Sequence, residues 1–311
     1  MSIFTQEVTD AAEMNKLSDI FFCISGVSPE ILVSDWETPC FAERFCDKEY
    51  DYDRKYDVYK ITCGNGAFVL KKTDENEVSV YRRLNGRGLN VPLYYGCREC
   101  SDGVWILIEY IEGDDLRIFD EASAYAAAVS LVGVMNEFAG LEDDCERFSR
   151  YMKRIKKRSL CLRGEDMLVS AYDIFLNRQL TIKRTMQNGD LLQFNAIKRS
   201  GKVYIIDWGF GGFMPYSLDI ARMTAHGIET PDVGFPFLMN ERDRRAFIDE
   251  VYRGLAEKPS RDEYERDVLL STLNEYVEFA EPYLENPGEE RGELFELYYE
   301  YAVRTAREIL Q

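Results

Sequence analysis

The sequence predicts an α+β protein, in which a small lobe built on an antiparallel sheet precedes a larger and mainly helical lobe. Short apolar runs separated by turn signals fill residues 40–110, which is typical of antiparallel strands. After residue 115 the composition becomes typical of helices, beginning with a stretch rich in Ala and Val. A hairpin interrupts these helices, and polar side chains stand at its ends. We therefore expect one domain at residues 1–110 and a second at residues 111–311.

Three antiparallel strands are predicted between residues 40 and 72, at Phe41–Cys46, Tyr56–Ile61 and Ala67–Leu70. The turn Gly64-Asn65-Gly66 separates the last two and is a strong hairpin signal. The turn between the first two, residues 47–55, holds four acids and no glycine. It therefore does not offer the open backbone of a glycine-rich phosphate loop. Upstream, a weak helix is expected around Ala11–Leu17, and the apolar run Ile20–Ile24 fits either a strand or a buried helix end.

The third strand ends in Lys71 and Lys72, and strand alternation places these two side chains on opposite faces of the sheet. Glu75–Leu84 follows as a helix, in which apolar residues recur at helical spacing from Glu77 onwards. Two further strands complete a five-stranded sheet, and the segment from Glu109 to Gly113 then leaves it. The predicted positions of these two strands are Val91–Gly96 and Val104–Ile108.

The second lobe is predicted to hold helices at Ala122–Phe138, Arg147–Arg158, Asp166–Leu180, Asp219–Arg222, 240–257 and 262–311. The basic side chains of Arg147–Arg158 are expected on a solvated helix face, because the chain as a whole is strongly acidic. Acids are frequent in the last region, where they fit either a solvated surface or a site for cationic groups. They are Glu265, Glu275, Glu278, Glu281, Glu285, Glu289, Glu290, Glu293 and Glu296.

The net charge of −18 argues against DNA, RNA or an anionic membrane as the main partner, since each is negatively charged. It would favour a cationic ligand, although acidic surfaces also keep proteins soluble. No signal peptide and no apolar membrane span are apparent in the sequence, so we expect a cytoplasmic protein with reduced cysteines. Cys97 and Cys100 form one C-x2-C pair, but zinc would need a second pair or histidines, and His226 is the single histidine. The oligomeric state stays open.

Three oxygen-bearing side chains meet the requirements of phosphoryl transfer. Asn195 stands before the first strand of the hairpin, Asp207 follows the second strand, and Asp190 precedes Asn195 by five positions. One carboxylate can accept the proton of an attacking hydroxyl, while an amide and a second carboxylate can hold Mg²⁺ against nucleotide phosphates. Ordinary turn residues beside glycines would explain either half of this pattern, but not both halves in order.

The pattern D-x4-N, followed by apolar-apolar-D-W-G, resembles the catalytic loop and metal loop of the protein-kinase-like fold. It is closer still to the aminoglycoside phosphotransferase and choline kinase family. This resemblance implies a two-lobed protein-kinase-like fold, with Asp190 as the catalytic base and Asn195 and Asp207 as the ligands of Mg²⁺. Asn188 stands where the family usually has His, and its amide can still support the loop by donating and accepting hydrogen bonds. Asp219 would brace the metal loop.

By the same resemblance, Lys71 would hold the phosphates of the nucleotide and Glu77 would pair with that lysine. Glu75 competes with Glu77 for this role, and the alternative for Glu77 is an N-terminal acid that only stabilises the helix dipole. The segment from Glu109 to Ile111 resembles the hinge whose backbone groups read the adenine edge. Because such contacts come from the main chain, the side chains do not separate ATP from GTP.

The resemblance thus implies a kinase that uses Mg²⁺ with ATP, or GTP, to phosphorylate a hydroxyl of a small cationic molecule. An aminoglycoside acceptor would make it an antibiotic-resistance enzyme, and choline, ethanolamine or a sugar is the alternative. A non-catalytic nucleotide-binding protein is the alternative of another class. Asn188 and the acidic turn favour it, whereas the intact Asp190, Asn195 and Asp207 oppose it. A protein kinase is disfavoured, because no A-P-E segment follows the metal loop.

Overall fold

The computed structural model describes residues 3–25, 41–49, 52–63, 66–141, 145–227, 237–285 and 293–311. The chain divides into two compact units, residues 1–113 and residues 114–311. The expectations on Gly64 and Asn65, on positions 50–51 of the acidic turn, and on Glu289 and Glu290 lie outside the described residues, as do the side chains of Glu285 and Glu293.

A six-stranded antiparallel sheet organises the first unit, in the order β1-β2-β3-β4-β6-β5. The strand bounds are β1 Ile3–Glu7, β2 Phe41–Glu49, β3 Tyr52–Cys63, β4 Gly66–Thr73, β5 Tyr94–Cys100 and β6 Gly103–Glu109. The expected sheet had five strands, because β1 was not predicted. Its residues, IFTQE, show no alternation of apolar and polar side chains, so the sequence carries no strand signal there. Pairing with β2 recruits this segment into the sheet.

Helix α1, Ala11–Ser25, covers one face of this sheet. Its apolar residues Leu17, Ile20, Phe21 and Ile24 follow the helical i, i+3, i+4, i+7 spacing and are all buried. The run Ile20–Ile24 is therefore the end of a helix and not a strand. The side chains packed beneath it come from β2, β3, β4 and β6, and include Ala42, Ile61, Leu70, Trp105 and Leu107. The other helix of this unit is α2, Glu75–Leu84.

Helices dominate the second unit. They are α3 Glu121–Glu137, α4 Cys145–Arg158, α5 Asp166–Gln179, α6 Leu218–Ala225, α7 Glu241–Gly254, α8 Arg261–Glu285 and α9 Glu293–Ile309. A core formed by α4, α5, α6, α8 and α9 includes Ile155, Phe175, Leu273 and Tyr298. Together with the sheet of the first unit, these helices confirm the predicted α+β class. Among the described helices, none combines the length and apolarity needed to cross a lipid bilayer.

Short strands position two loops of the second unit. The strands are β7 Asp114–Asp115, β8 Ile118–Phe119, β9 Arg184–Gln187, β10 Ala196–Arg199, β11 Lys202–Ile205, β12 Gly212–Pro215 and β13 Leu238–Met239. β10 and β11 form the expected hairpin, whose turn residues Ser200 and Gly201 have φ of 51° and 78°. Two successive positive φ angles characterise the tight turns that suit twisted hairpins. β9 pairs with β12. The loop between β9 and β10 and the loop between β11 and β12 therefore lie at the same end of the hairpin.

Helix α4 differs from the expectation at its last residue. Lys153, Arg154, Lys156 and Lys157 are exposed, as expected for a solvated face. Arg158 is instead only 2% exposed, and its guanidinium lies 2.9 Å from carboxylate oxygens of both Glu278 and Glu281 on α8. Helical spacing turns this position inward, and two carboxylates compensate the buried charge.

Candidate active site

Two loops meet at the open end of the β10–β11 hairpin. We call residues 188–195 the DN loop and residues 206–211 the DWG loop, after their sequences. The N–H of Ile206 donates to the carbonyl of Asn195 over 2.9 Å, directly beyond the pair Ala196–Ile205 of the ladder. Continuous backbone hydrogen bonding therefore holds Asn195, before β10, and Asp207, after β11, at the same open end of the hairpin.

Asn188 connects the two loops. Its side-chain N–H group donates to the carbonyls of Ile206 and Asp207, each over 3.0 Å, and its Oδ1 accepts from the N–H of Asp190 over 3.1 Å. The residue has no exposed surface. A single amide therefore acts as donor to one loop and acceptor from the other.

Gly189 allows the DN loop to approach the DWG loop closely. Its φ is +79°, which disfavours residues with a side chain. A Cβ atom at this position would lie 2.3 Å from the carbonyl oxygen of Phe210, far inside normal contact distance. Glycine is therefore required here both for backbone conformation and for space.

Asp219, near the start of α6, braces the DN loop. Its carboxylate accepts from the N–H of Asn188 over 2.5 Å and from the N–H of Gly189 over 2.9 Å. Burial raises the pKa of Asp219 to about 7, although the two backbone N–H groups favour the charged form. The described contacts thus place this brace on the DN loop, whereas the sequence analysis expected it on the DWG loop.

Asp190 forms an ion pair that the sequence analysis did not foresee. Nε and Nη2 of Arg222 both donate to its Oδ1, over 3.1 Å and 2.7 Å. No described residue donates a hydrogen bond to Oδ2. Burial raises the pKa of Asp190, the charge of Asp207 adds to this, and Arg222 opposes both.

Arg222 is held in turn by a buried cluster that comprises Glu275 on α8, His226 at the end of α6 and Tyr298 on α9. Its Nη1 lies 2.7 Å from Glu275, which is 2% exposed at the side chain. Nε2 of His226 lies 3.3 Å from the same carboxylate oxygen of Glu275, and Nδ1 lies 2.9 Å from the hydroxyl of Tyr298. Burial lowers the pKa of His226, and Arg222 adds to this. A neutral imidazole that donates from Nε2 and accepts at Nδ1 satisfies both contacts.

Asn195 and Asp207 offer oxygen ligands suited to Mg²⁺. The side-chain N–H group of Asn195 donates to the carbonyl of Asp190 over 2.7 Å, which leaves its Oδ1 as the atom for a metal. Asp207 is exposed and adopts a φ of 56°, an uncommon conformation that occurs more often at functional sites. One amide and one carboxylate fit a cation that keeps several waters or phosphate oxygens as its other ligands. The described residues form no cluster of three or more His, Cys, Asp or Glu side chains for a metal.

In the first unit, Lys71 on β4 pairs with Glu77 on α2, with 2.9 Å between Nζ and Oε1. Phe68 and Leu70 pack toward α1, so alternation puts Lys71 on the opposite face, where α2 lies. Lys72 contacts Asp102 at 3.5 Å instead.

Asp74 caps α2 by accepting from the N–H of Glu77 over 3.0 Å, which anchors the start of the helix. Glu77 is 1% exposed at its side chain. The competing residue Glu75 is exposed.

Glu109 and Ile111 follow the expected course out of the sheet. Glu109 ends β6, and its N–H donates to the carbonyl of Leu93 over 2.9 Å. The next N–H, of Tyr110, donates to the carbonyl of Ala67 over 3.3 Å. Within the described residues, the N–H and C=O of Ile111 have no hydrogen-bond partner. These two groups therefore have the donor and acceptor needed to read a purine edge.

Arg222 and Glu275 are the main residues of this site that sequence reasoning missed. Arg222 directly follows the Asp219-Ile220-Ala221 motif, and a helical i, i+3 relation to Asp219 was the available signal. Glu275 was one of many tail acids considered for binding a cationic ligand. In the structure it is buried against Arg222 and His226 instead.

Comparison of the sequence with protein-family models finds a match to the phosphotransferase enzyme family over residues 55–257. A comparison with curated protein sequences finds no match. The family match spans the residues from β3 to the end of α7 and includes both loops of the candidate site.

Solved structures with a similar fold include a choline kinase, an ethanolamine kinase and a spectinomycin phosphotransferase. The choline kinase of Cryptosporidium parvum Iowa II is 12% identical, with 95% of this chain and 96% of that chain covered and a TM-score of 0.59. The ethanolamine kinase of Plasmodium vivax is 11% identical, with 86% and 83% covered and a TM-score of 0.56. A spectinomycin phosphotransferase in complex with ADP and spectinomycin is 12% identical, with 87% and 93% covered and a TM-score of 0.55. These likenesses confirm the predicted protein-kinase-like fold.

Proposed function

The chain belongs to the phosphotransferase enzyme family, and on this premise we propose that it transfers the γ-phosphoryl group of ATP or GTP to a hydroxyl of a small molecule. The observation that carries the proposal is the meeting of Asp190, Asn195 and Asp207 at one end of the β10–β11 hairpin. Backbone hydrogen bonds and the amide of Asn188 hold these three residues in place. Phosphoryl transfer depends mainly on such positioning and on charge stabilisation.

In this proposal each of the three residues has a separate role. Asp190 orients the acceptor hydroxyl and takes its proton. Asn195 and Asp207 hold Mg²⁺, which when bound would neutralise the negative charge of the nucleotide phosphates. The exposed carboxylate of Asp207 and the free Oδ1 of Asn195 support these assignments.

The first unit would bind the nucleotide. Lys71 would neutralise phosphate charge, and Glu77 would fix the direction of its ammonium group, as their ion pair supports. The backbone groups at Glu109 and Ile111 would bind the purine edge. Residues 47–55 were expected to form a turn, but residues 47–49 extend β2 and residues 52–55 belong to β3. This segment has no glycine, so the nucleotide would depend on the lysine and the metal for much of its affinity.

For the acceptor we propose a molecule with a hydroxyl and a cationic nitrogen, a class that includes aminoglycosides, choline and ethanolamine. The net charge of −18 supports a cationic ligand over an anionic one. We also propose a cytoplasmic location, because all cysteines among the described residues are free. The second unit, with its acidic helices, would provide the acceptor site.

Two measurements test the proposed function. Mg²⁺ with ATP or GTP should raise the melting temperature, because a ligand that binds only the folded state stabilises it. Release of ADP or GDP should then depend on the acceptor in a panel of kanamycin, spectinomycin, choline, ethanolamine and glucosamine. The absence of both the melting shift and phosphate transfer would overturn the proposal. A melting shift without transfer to any acceptor or to water would indicate the non-catalytic alternative.

A further inference from the structure

Arg222 has a position that the proposed roles leave unexplained. It extends from α6 to the carboxylate of Asp190, and its side chain is 14% exposed. α6 also carries Asp219, which holds the backbone of Asn188 and Gly189. Residues three apart on a helix lie on the same face. One face of α6 therefore contacts both the backbone of the DN loop and the side chain of its proposed base.

We infer that Arg222 is a positioning residue, which holds Asp190 so that Oδ2 is the oxygen presented to the acceptor hydroxyl. The inference rests on the proposed function. Two hydrogen bonds from one guanidinium end on Oδ1 and so fix the rotation of the carboxylate. Oδ2 accepts none from the described residues, so its lone pairs stay available to a proton. Catalysis by positioning requires such a fixed direction of approach.

The surroundings of Arg222 show that the guanidinium itself is fixed. Glu275 accepts from Nη1 on the side away from Asp190. The centroid of the Phe279 ring lies 5.6 Å from the guanidinium carbon of Arg222. Glu275 is held by His226, and His226 by Tyr298. A planar guanidinium satisfies both carboxylates at once, whereas the ammonium of a lysine provides one point charge. These contacts fix the guanidinium of Arg222, and a fixed guanidinium can hold the carboxylate of Asp190 in one orientation.

The same contacts argue against Arg222 as a ligand for the acceptor. Nε, Nη1 and Nη2 each already donate to a carboxylate, and the opposing charges of Asp190 and Glu275 neutralise the cation. Breaking such a buried pair to bind a substrate would leave a carboxylate without compensation, which is strongly unfavourable. The geometry therefore favours an indirect role, in which Arg222 affects catalysis by orienting Asp190.

The test compares Arg222→Gln and Arg222→Lys with the wild-type enzyme, using Mg-ATP and the acceptor that gives turnover in the panel above. Arg222→Gln should lower kcat about 100-fold, the loss typical of a small misplacement of a reacting group. The KM for Mg-ATP should stay within about two-fold, because binding of the nucleotide does not involve Arg222. Arg222→Lys should recover part of the lost kcat by restoring one donor and the charge.

Arg178→Lys is a matched control. Arg178 also pairs through Nε and Nη2 with one aspartate, Asp267, at 2.6 Å and 2.8 Å, and neither residue contacts the DN loop. This variant should lose stability but keep kcat. Glu275→Gln provides a second test if Arg222→Gln does not fold, because it leaves Arg222 in place and removes its support. It should lower kcat in the same direction, again with little change in KM for Mg-ATP.

The outcomes separate the inference from the proposed function. A wild-type protein that neither binds nucleotide nor transfers phosphate overturns the proposed function and this inference with it. An active wild type with unchanged kcat in Arg222→Gln, or in Glu275→Gln where the former does not fold, overturns the inference alone. So does a rise in the acceptor KM with unchanged kcat, because Arg222 would then bind the acceptor directly.

Discussion

Asn188 donates a hydrogen bond from its side-chain amide to the backbone carbonyl of Asp207 over 3.0 Å. The loop that carries Asp190 and the loop that carries Asp207 are thus joined by a side chain as well as by strand pairing. Because Asn188 has no exposed surface, water cannot replace the bonds that its amide makes. The two loops are therefore expected to respond together to changes at this residue.

Replacing Asn188 by Ala should destabilise the protein and weaken the binding of Mg-nucleotide. The loss of its buried hydrogen bonds should reduce the free energy of unfolding by about 1–3 kcal/mol. Asn136→Ala is the matched control, because Asn136 also bonds two backbone groups, of Gly254 and Ala256, but lies outside both loops. Urea unfolding and nucleotide titration would be measured on both variants. Equal nucleotide affinity in the two would show that Asn188 has only a structural role.

The two aspartates of the site should give different defects. Asp190→Asn should abolish most phosphate transfer, by about 100-fold or more in kcat, and leave nucleotide binding intact, because it removes a proton acceptor and not a phosphate ligand. Asp207→Asn should weaken nucleotide binding in the presence of Mg²⁺ and have less effect without it. Calorimetric titration with and without Mg²⁺, combined with the coupled assay, separates the two. Unchanged turnover in Asp190→Asn would remove this residue as the base.

Lys71→Met should raise the KM for nucleotide about ten-fold or more, because a charge-assisted bond to phosphate would be lost. Lys72→Met is the neighbouring control, since Lys72 lies on the other face of β4 and contacts Asp102. Its KM for nucleotide should match that of the wild type. If both variants raise KM equally, the effect reflects the overall charge of the sheet and the assignment of Lys71 fails.

Gly189→Ala should severely damage both stability and activity. The added Cβ would lie 2.3 Å from the carbonyl oxygen of Phe210, so the DN loop or the DWG loop must move. Gly140→Ala separates this clash from backbone strain, because Gly140 has a φ of +69° but open space around its Cβ position. That control should lose only about 1–2 kcal/mol of unfolding free energy. Comparable losses in the two variants would show that the close approach of the loops is unimportant.

The single histidine permits a direct measurement of pH dependence. Burial lowers the pKa of His226, so the folded protein keeps it neutral where the unfolded chain, with a usual value of 6.5, becomes protonated. The free energy of unfolding should therefore decrease as pH falls below about 6.5, by at most about 1.4 kcal/mol per pH unit from this residue. The slope should become shallower in His226→Gln. In untagged protein, an NMR titration of the imidazole proton signal should show a midpoint below the usual value of 6.5. A midpoint near the usual value would contradict the buried neutral state.

Local patterns explain which parts of the structure could be predicted. The β10–β11 hairpin brings Asn195 and Asp207 together within a short stretch of chain, so turn residues and strand patterns were sufficient to place them. The α2 helix was likewise predicted to the residue, because its apolar residues recur at regular helical spacing. Strand β1 could not be predicted, because its place depends on pairing with a distant strand, β2.

Arg222 and Arg158 show a second limit. The residues next to an arginine in the sequence do not indicate whether it will form an ion pair with a carboxylate from a distant part of the chain. Arg222 meets Asp190 and Glu275, which are separated from it by 32 and 53 positions, because α6 packs on α8. Arg158 is buried for the same kind of reason, although the charged composition of α4 suggested a solvated face. Tertiary packing determines these contacts, and the periodicity of the sequence does not predict tertiary packing.

Glu278 lies between both of these arginines, at 2.9 Å from Arg158 and 3.9 Å from Arg222. Glu281 also pairs with Arg158, so loss of Arg158 would leave these two carboxylates without their nearest cation in a largely buried setting. Evolution could therefore exchange Arg158 only together with its carboxylate partners, or through compensating changes in close succession. Among homologous sequences, a lineage that lost Arg158 should therefore also have replaced Glu278 or Glu281.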